Sequence, residues 1–399
     1  MAQPRVVWLP TDRIFVLDAL RGVCFVAMTV DHLQGNPFSR FSNPNFGPLG
    51  FFTAALGFVF LSGLVAGRVY EGERTVAGTR SMVRRVLRRA RALYITQMVV
   101  LLSVIAGIEL HLRGAPRWHF DLVEATPFRG IAFGAALAYE PGYLGILPMY
   151  LAFLLLTPAV LWQFSKGHIG HVLAFSALLW ILTGLLIRLP ENPSGVDFGA
   201  FNPISYQFVF IAGLAFGSGR LDIGRLPRRV QHGLLAASAI VAALFLTLRW
   251  EYAIDGSLNP VLERMSFALD SEQLGPLRLL NFAAFGLLLY WVCRRVRWDE
   301  IRSFAFSWLA FVGRHSLPVF AWSILVAYAT AALLPSDPSR RLGLLAVALV
   351  TVSLTIPALL HAMTRGPRAT PIWRRIRPSA YDAAPLATPA DLASTPSRG

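Results

Sequence analysis

The stretch IFVLDALRGVCFVAMTVDHLQ, residues 14–34, decides the fold class. It is long and apolar enough to cross a hydrocarbon core of about 30 Å as an α-helix. Even so, Asp18 and Arg21 lie in its first half, and Asp31 and His32 lie near its end. A charged residue at the centre of a span costs roughly 2.5–3.5 kcal/mol, so such residues usually face a bundle interior. The stretch predicts a retained membrane helix that packs against others, rather than a signal peptide.

Apolar runs of similar length recur along the whole chain. Of its 399 residues, 55% are hydrophobic and 15% are charged, and the mean hydropathy is +0.53. A soluble domain carries roughly 25% charged residues. The sequence therefore predicts an all-α polytopic transmembrane helix bundle of about ten spans. We place the spans at 14–34, 49–68, 90–109, 143–163, 171–189, 203–218, 232–250, 278–294, 314–334 and 342–362.

Basic residues are distributed unevenly between the segments that join these spans. Of 37 Lys and Arg residues, 25 fall on one side of the predicted membrane and ten on the other, with Arg21 and Arg314 inside or at the edge of spans. Cytoplasmic loops carry the excess of such residues, so both termini are predicted to be cytoplasmic. The arginines lie between apolar runs rather than on one polar face, which argues against nucleic acid as the partner of this chain of net charge +15.

Three segments follow from this pattern. Residues 1–13 form a cytosolic N-terminal segment, and residues 14–363 form the membrane domain. The tail 364–399 is rich in Pro, Ala, Ser and Thr, a composition typical of a disordered cytosolic end. Residues 304–312 are also apolar and aromatic, and either lie in the interface or extend the ninth span.

The polar residues of the first helix share one face. Arg21 and His32 are eleven residues apart, which places them within about 20° of each other and about 16 Å apart along the axis. Asp18 lies one turn before Arg21. This spacing predicts a polar path with a cation toward the inside and an imidazole toward the outside, and an imidazole can take a proton from an alcohol near neutral pH. Asp31 points about 100° away from His32. The alternative is a structural Asp18–Arg21 pair with His32 as an interfacial residue.

A second polar group is Arg314-His315-Ser316. Gly313 and Pro318 flank it, which predicts a helix start or break. Arginine and helix-terminal amides suit phosphate groups, so a coenzyme A contact is one interpretation. The other is a capped helix end whose arginine pairs with an acid of an inner loop.

The remaining histidines have ordinary interpretations. His168, His171, His232 and His361 are expected to be solvated or interfacial. In the outer loop 110–142, the residues His111, His119, Asp121 and Glu124 match no zinc spacing, so no metal site is predicted. Trp118, Trp250 and Tyr252 are expected to anchor the outer interface. Candidates to line a cavity are Asp18, Asn36, Ser62, Tyr150, Asn202, Gln207 and Ser316. An alternative role for Ser62, that of a covalent nucleophile, lacks a residue assigned as its base.

Leu17 to Gly22, together with His32, resembles the first-helix pattern of the acyltransferase-three superfamily of membrane acyltransferases. The wider chain, from about Arg13 to Thr364, resembles more closely the OpgC family, which succinylates osmoregulated periplasmic glucans. Ala19 stands where related sequences often have a bulkier residue. The segments that carry the closer likeness are His32 to Pro37, Phe58 to Gly63, Ile146 to Tyr150, Phe201 to Pro203 with Gln207, and Gly313 to Phe320.

The resemblance implies a multi-pass enzyme of the bacterial inner membrane. It implies an O-acyltransferase that moves a short acyl group, succinyl in the family, from acyl-CoA to hydroxyls of a periplasmic glucan or other glycan. His32 then matches the general base, with Asp31 beside it, and Arg21 matches a donor contact. Arg314 and His315 would join that contact. Acyl-CoA is a substrate, and no permanently bound cofactor is expected.

Two other functions fit the residues without the resemblance. A transporter or flippase for a glycan or its lipid carrier would also place polar residues inside spans. Many transporters contain repeated halves, and none is evident in this sequence. A sensor or assembly scaffold is the third possibility, but it would not need an embedded arginine and histidine.

Overall fold

The computed structural model describes residues 12–364, apart from 34, 43–44, 111–122, 124, 140–141, 187–200, 258–259, 297–302 and 336. Within those residues the regular structure is helical, and the strand-like pairing is one isolated bridge between Gly47 and Gly50. The α-helices are α1 (Asp12–Asp31), α2 (Ala54–Glu109), α3 (Pro127–Ala135), α4 (Ile146–Ser165), α5 (Ile169–Leu186), α6 (Pro203–Gly217), α7 (Arg228–Asp255), α8 (Pro260–Arg264), α9 (Pro276–Arg295), α10 (Phe304–Arg314), α11 (Ser316–Leu333), α12 (Arg340–Ser353) and α13 (Thr355–Met363). Two short 3₁₀ turns, Ile223–Arg225 and Ser266–Leu269, complete the described elements.

The predicted class, an all-helical membrane protein, is confirmed. In the part of the chain that the structure describes, six helical segments are long and apolar enough to cross a membrane. They are Ala54–Glu109, Ile146–Ser165, Arg228–Asp255, Pro276–Arg295, Ser316–Leu333 and Arg340–Met363. Helices α5, α6 and α10 are apolar but shorter, and α1 carries Asp18 and Arg21 in its interior. The count of ten spans and the cytoplasmic termini stay predictions.

Several helix boundaries differ from the predicted spans. The spans 49–68 and 90–109 correspond to the two limbs of α2, which meet at a sharp kink at Gly78, where φ is +84° and the backbone is not helical. Glu73 and Arg85, on opposite sides of this kink, are 2.6 Å apart. The predicted span 314–334 begins instead at Ser316, because His315 leaves helical geometry and separates α10 from α11. The last span consists of two helices, α12 and α13, with Leu354 between them.

Helices α2 and α6 meet through two facing glycine pairs. A Cβ at Gly63 would lie 2.1 Å from the Phe210 carbonyl oxygen, and one at Gly217 would lie 1.9 Å from the Leu64 carbonyl oxygen. Gly67 and Gly213 show the same close approach, at 2.3 Å each. Each helix therefore carries a small-xxx-small pair, the pattern that lets membrane helices pack backbone against backbone.

Helix α1 is enclosed by α10 and α11. A Cβ at Gly313 would lie 1.8 Å from the Asp18 carbonyl oxygen, and one at Gly22 would lie 2.1 Å from that of Leu309. Helix α11 then runs in the same direction as α1, since Ser316 contacts Arg21 and Phe320 contacts Phe25. This arrangement brings the two predicted polar groups, on α1 and around His315, to one place.

Candidate functional site

The polar residues in the first half of α1 contact the end of α10 and the start of α11. Arg21 is buried, and its Nη2 donates a hydrogen bond to Ser316 Oγ at 2.7 Å. Arg314 Nε lies 3.4 Å from Asp18 Oδ2. Asp18 therefore forms its ion pair with an arginine of α10 and not with Arg21, against the alternative of an Asp18–Arg21 pair. Asp299 and Glu300, acids of the inner loop before α10, lie outside the described residues, so the pairing of Arg314 with an inner-loop acid stays a prediction. We call Asp18, Arg21, Arg314, His315 and Ser316 the inner cluster.

A second histidine joins this cluster from α13. His315 Nδ1 lies 2.8 Å from Nδ1 of His361, and the two rings are nearly perpendicular. At that distance one ring nitrogen donates and the other accepts. His361 is half-buried, and its expected place in the solvent or at the membrane interface stays a prediction. The sequence gives no sign of this contact, because the two residues lie on different helices.

At the other end of α1, His32 stacks against Tyr143. The ring centroids are 4.0 Å apart and the planes differ by 20°. The Tyr143 hydroxyl approaches the His32 carbonyl oxygen at 3.5 Å, the limit of a hydrogen bond. Tyr143 in turn is held by Tyr328 of α11, whose hydroxyl accepts from the Tyr143 backbone N–H at 3.3 Å. The imidazole plane is thus fixed by a tyrosine that the sequence analysis did not single out.

Asp31 and Asn36 fix the loop that follows α1. Asp31 accepts a hydrogen bond from the Ser42 hydroxyl. The side chain of Asn36 donates to the carbonyl oxygens of Val30 and Ser42 and accepts from the Phe38 N–H. Both residues therefore bind the loop, and the recorded partner of Asp31 is Ser42 rather than the imidazole. We call His32, Asp31, Tyr143 and Tyr328 the outer cluster.

An aromatic layer separates the two clusters. Phe25 has no exposed surface and contacts Phe58 at 5.1 Å and Phe320 at 6.2 Å between ring centroids, while Phe58 and Phe320 stack at 6.1 Å. Phe25 and Met28 lie on the same face of α1 as Arg21 and His32, and Met28 is also buried. The structure therefore differs from the predicted continuous polar path. Its polar groups lie at two ends, with packed apolar side chains between them.

The other predicted cavity residues lie elsewhere or make structural contacts. Asn202 caps α6 by accepting from the Ile204 N–H and donates to Gln273, and Gln207 is bonded to Ser176 of α5. Tyr150 packs with its ring 6.5 Å from that of Phe58, next to the aromatic layer.

Ser62 is buried, and its hydroxyl has no hydrogen-bond partner among the described residues. It precedes Gly63 in the tight contact between α2 and α6, and no described residue serves it as a base. This placement favours a packing role over that of an acyl-enzyme nucleophile.

The histidines and acids proposed in the outer loop, His111, His119, Asp121 and Glu124, lie outside the described residues, as does Trp118. Across the residues that are described, no group of three or more His, Cys, Asp or Glu side chains is placed to hold a metal ion.

Two buried arginines that sequence reasoning missed hold the loop between α1 and α2. Arg249 of α7 donates to the carbonyl oxygens of Gly47 and Arg40, and Arg278 of α9 donates to those of Leu269 and Asn45. Both guanidinium groups also lie against the Phe46 ring, at 5.8 and 5.6 Å. In the sequence analysis these two arginines, near predicted span ends, counted only toward the distribution of basic residues between the two sides of the membrane. In the structure they anchor the loop that carries Ser42, and through it Asp31.

Comparison with known protein families identifies the family of this chain. The family model described as OpgC protein matches residues 13–366, which include all of the predicted membrane domain, 14–363. The chain belongs to the OpgC family. The predicted family is thereby confirmed, and the match spans both the inner and the outer cluster. Membership in the OpgC family, together with the apolar helices, indicates a membrane protein with a transferase role. Searches of curated proteins and of solved structures returned no match.

Proposed function

We propose that the protein is a membrane O-acyltransferase that moves a short acyl group, succinyl by analogy with its family, from acyl-CoA to hydroxyls of a periplasmic glucan. Family membership supports the transferase class. The observation that carries the proposal is the placement of a buried cation and a stacked imidazole on one face of α1, at opposite ends of an apolar layer. The proposed location is the bacterial inner membrane, and the wider acyltransferase-three superfamily remains part of the proposal.

The inner cluster has the chemistry of a donor site. Arg21 is buried, and its Nε has no acceptor among the described residues, so one of its donors is available to an anionic group. Arg314 is about half exposed beside it, and the first N–H groups of α11 lie next to Ser316. Guanidinium groups and helix N-termini both favour phosphate oxygens. We assign Arg21, Arg314, His315 and Ser316 to contacts with coenzyme A.

The outer cluster has the chemistry of a base. The neutral imidazole of His32 accepts the proton of an acceptor hydroxyl while that oxygen attacks the thioester carbonyl carbon. The new C–O ester bond forms as the C–S bond breaks, and the imidazole returns the proton to the leaving sulfur, releasing coenzyme A as the thiol. Tyr143 keeps the ring plane fixed during both proton transfers.

The aromatic layer sets a condition on this mechanism. A donor held by Arg21 reaches His32 only if its acyl arm passes Phe25, Phe58 and Phe320. These three rings belong to three different helices, α1, α2 and α11. Side-chain rotation of the rings, rather than movement of whole helices, is the smallest change that admits a chain.

The test compares periplasmic glucans from a deletion strain complemented with the wild-type protein, with His32→Ala, or with His232→Ala, the last an exposed histidine on α7. Mass spectrometry should show the acyl increment with wild type and His232→Ala. With His32→Ala it should be lost, since a general base contributes about 10²–10⁴-fold in rate. Normal acylation by a folded His32→Ala variant contradicts the proposal. Loss of the glucans themselves in the deletion strain would indicate an exporter instead.

A further inference from the structure

The second limb of α2 carries a row of arginines that the proposed mechanism does not use. Arg84, Arg88 and Arg91 are exposed and follow each other at spacings of four and three residues, so they lie on one helix face. Together with Ser81 and Leu87 they line a shallow depression that is open to the surroundings. We call these five residues the basic groove.

The same face continues as the apolar outer surface of the bundle. Ile95, Val99 and Leu102 follow at the same spacing and are exposed by 48%, 56% and 49%. In a membrane helix, exposed apolar side chains of this kind contact lipid tails. The basic groove is therefore the direct continuation of an exposed apolar stripe, which is the arrangement expected where acyl chains give way to headgroups.

The opposite face of this limb is buried in the bundle. Met82, Val86 and Leu93 are each 1% exposed or less. The basic groove consequently points away from Arg21 and the inner cluster, and a molecule bound in it lies beside the protein among the lipids. This geometry separates it from the proposed donor site.

The groove arginines make no direct ion pair in the described part of the chain, although Arg88 lies close enough to Glu73 to interact with it electrostatically. Arg85, on a neighbouring face, pairs with Glu73 at 2.6 Å. For Arg84, Arg88 and Arg91, by contrast, no ion pair with a carboxylate occurs within the described ranges. Three guanidinium groups in a row, on a helix whose stripe meets lipid, create a strongly positive site that an anion would stabilise.

We propose that the basic groove binds the phosphate headgroup of an anionic phospholipid in the adjoining leaflet. Two neighbouring arginines offer paired N–H donors to phosphate oxygens, and the acyl chains lie along Ile95, Val99 and Leu102. If these arginines only set the orientation of the chain in the membrane, they would need neither their spacing on one helix face nor their place in the basic groove. The binding is independent of acyl transfer and is measured without it.

The test uses the full-length protein, delipidated in detergent, and native mass spectrometry with phosphatidylglycerol or phosphatidylcholine added. The variants are Arg84→Gln/Arg88→Gln and a matched control, Arg228→Gln/Arg229→Gln, which removes two exposed arginines from α7. Each arginine near an anionic surface raises the binding affinity by a factor of about five. Phosphatidylglycerol binding should therefore fall about thirty-fold in the first variant and stay unchanged in the control.

A second measurement uses only the wild-type protein, so it does not depend on whether the variants fold. Phosphatidylglycerol binding by the wild-type protein should weaken as salt is raised, because exposed charges are screened. The proposal is overturned if phosphatidylcholine binds equally well, if both double variants retain the same amount of phosphatidylglycerol, or if wild-type binding is insensitive to salt. It is also overturned if Arg84→Gln/Arg88→Gln loses affinity for coenzyme A while lipid binding stays intact.

Discussion

Replacing Gly313 by alanine should disrupt the contact between α1 and α10. The added methyl would lie 1.8 Å from the Asp18 carbonyl oxygen and 2.7 Å from the Gly22 nitrogen, where ordinary contact begins near 3.4 Å. These neighbours are backbone atoms, which cannot rotate aside, so α10 must withdraw by about 1.6 Å. Overpacking of this kind typically destabilises a protein by about 1–3 kcal/mol.

The same withdrawal should lower activity. Arg314 and Asp18 are already 3.4 Å apart, so a shift of this size breaks their contact, and the start of α11 moves with it. Thermal unfolding of the purified variant in detergent, with acyl-CoA turnover in the presence of glucan, measures both effects. Gly286→Ala is the matched control, because a Cβ there meets nothing within 4 Å. In a helix interior this change should be neutral or stabilise by up to about 1 kcal/mol. If Gly313→Ala unfolds and turns over like wild type, the close contact is not what positions the inner cluster.

Two further predictions concern the outer cluster and the arginine-rich end of α2. Tyr143→Leu should lower kcat about tenfold with KM for the donor unchanged, because the stacked partner of His32 is lost, whereas Tyr143→Phe keeps the ring and most of the rate. Equal rates for Tyr143→Leu and wild type would exclude this positioning role. Glu71 is partly buried, which favours its neutral form, but hydrogen bonds from Arg74 and Arg220 outweigh this and lower its pKa. A carboxylate with a lowered pKa stabilises the fold fully above its ordinary value of 4.5 and loses that contribution as pH falls below it. Glu71→Gln should therefore flatten the acid side of the stability profile, and an unchanged profile would contradict this.

The sequence predicts those features of the fold that depend on the composition of a single helix. The apolar run of α1, the start of α6 at Pro203 and the break between Gly313 and Pro318 all depend on local composition, and all are present. The sequence also predicts a connection between the spans 49–68 and 90–109, and the helical geometry does break there, at Gly78. That helix extends into the charged stretch from both sides of this break, as the helix propensity of arginine and alanine favours, was not predicted.

Contacts between helices could not be predicted in the same way. Asp18 and Arg21 are one turn apart, which favours a local pair, yet Asp18 meets an arginine 296 residues away. The partners His361 and Tyr143 show no signal in a single sequence, because nothing local indicates which helices are neighbours. The part of the aromatic layer on α1 could have been predicted from helical periodicity, since Phe25 and Met28 lie on the same helix face as Arg21 and His32.

The rings of Phe25, Phe58 and Phe320 also have an electrical consequence. Membrane voltage falls mainly across the least polarisable part of the path between the two aqueous sides, and here that part is a thin set of hydrocarbon side chains. Each elementary charge moved through the full drop gains or loses about 2.3 kcal/mol per 100 mV. On the proposed donor path, an anionic acyl group that passes these rings senses the membrane voltage, whereas a neutral one does not.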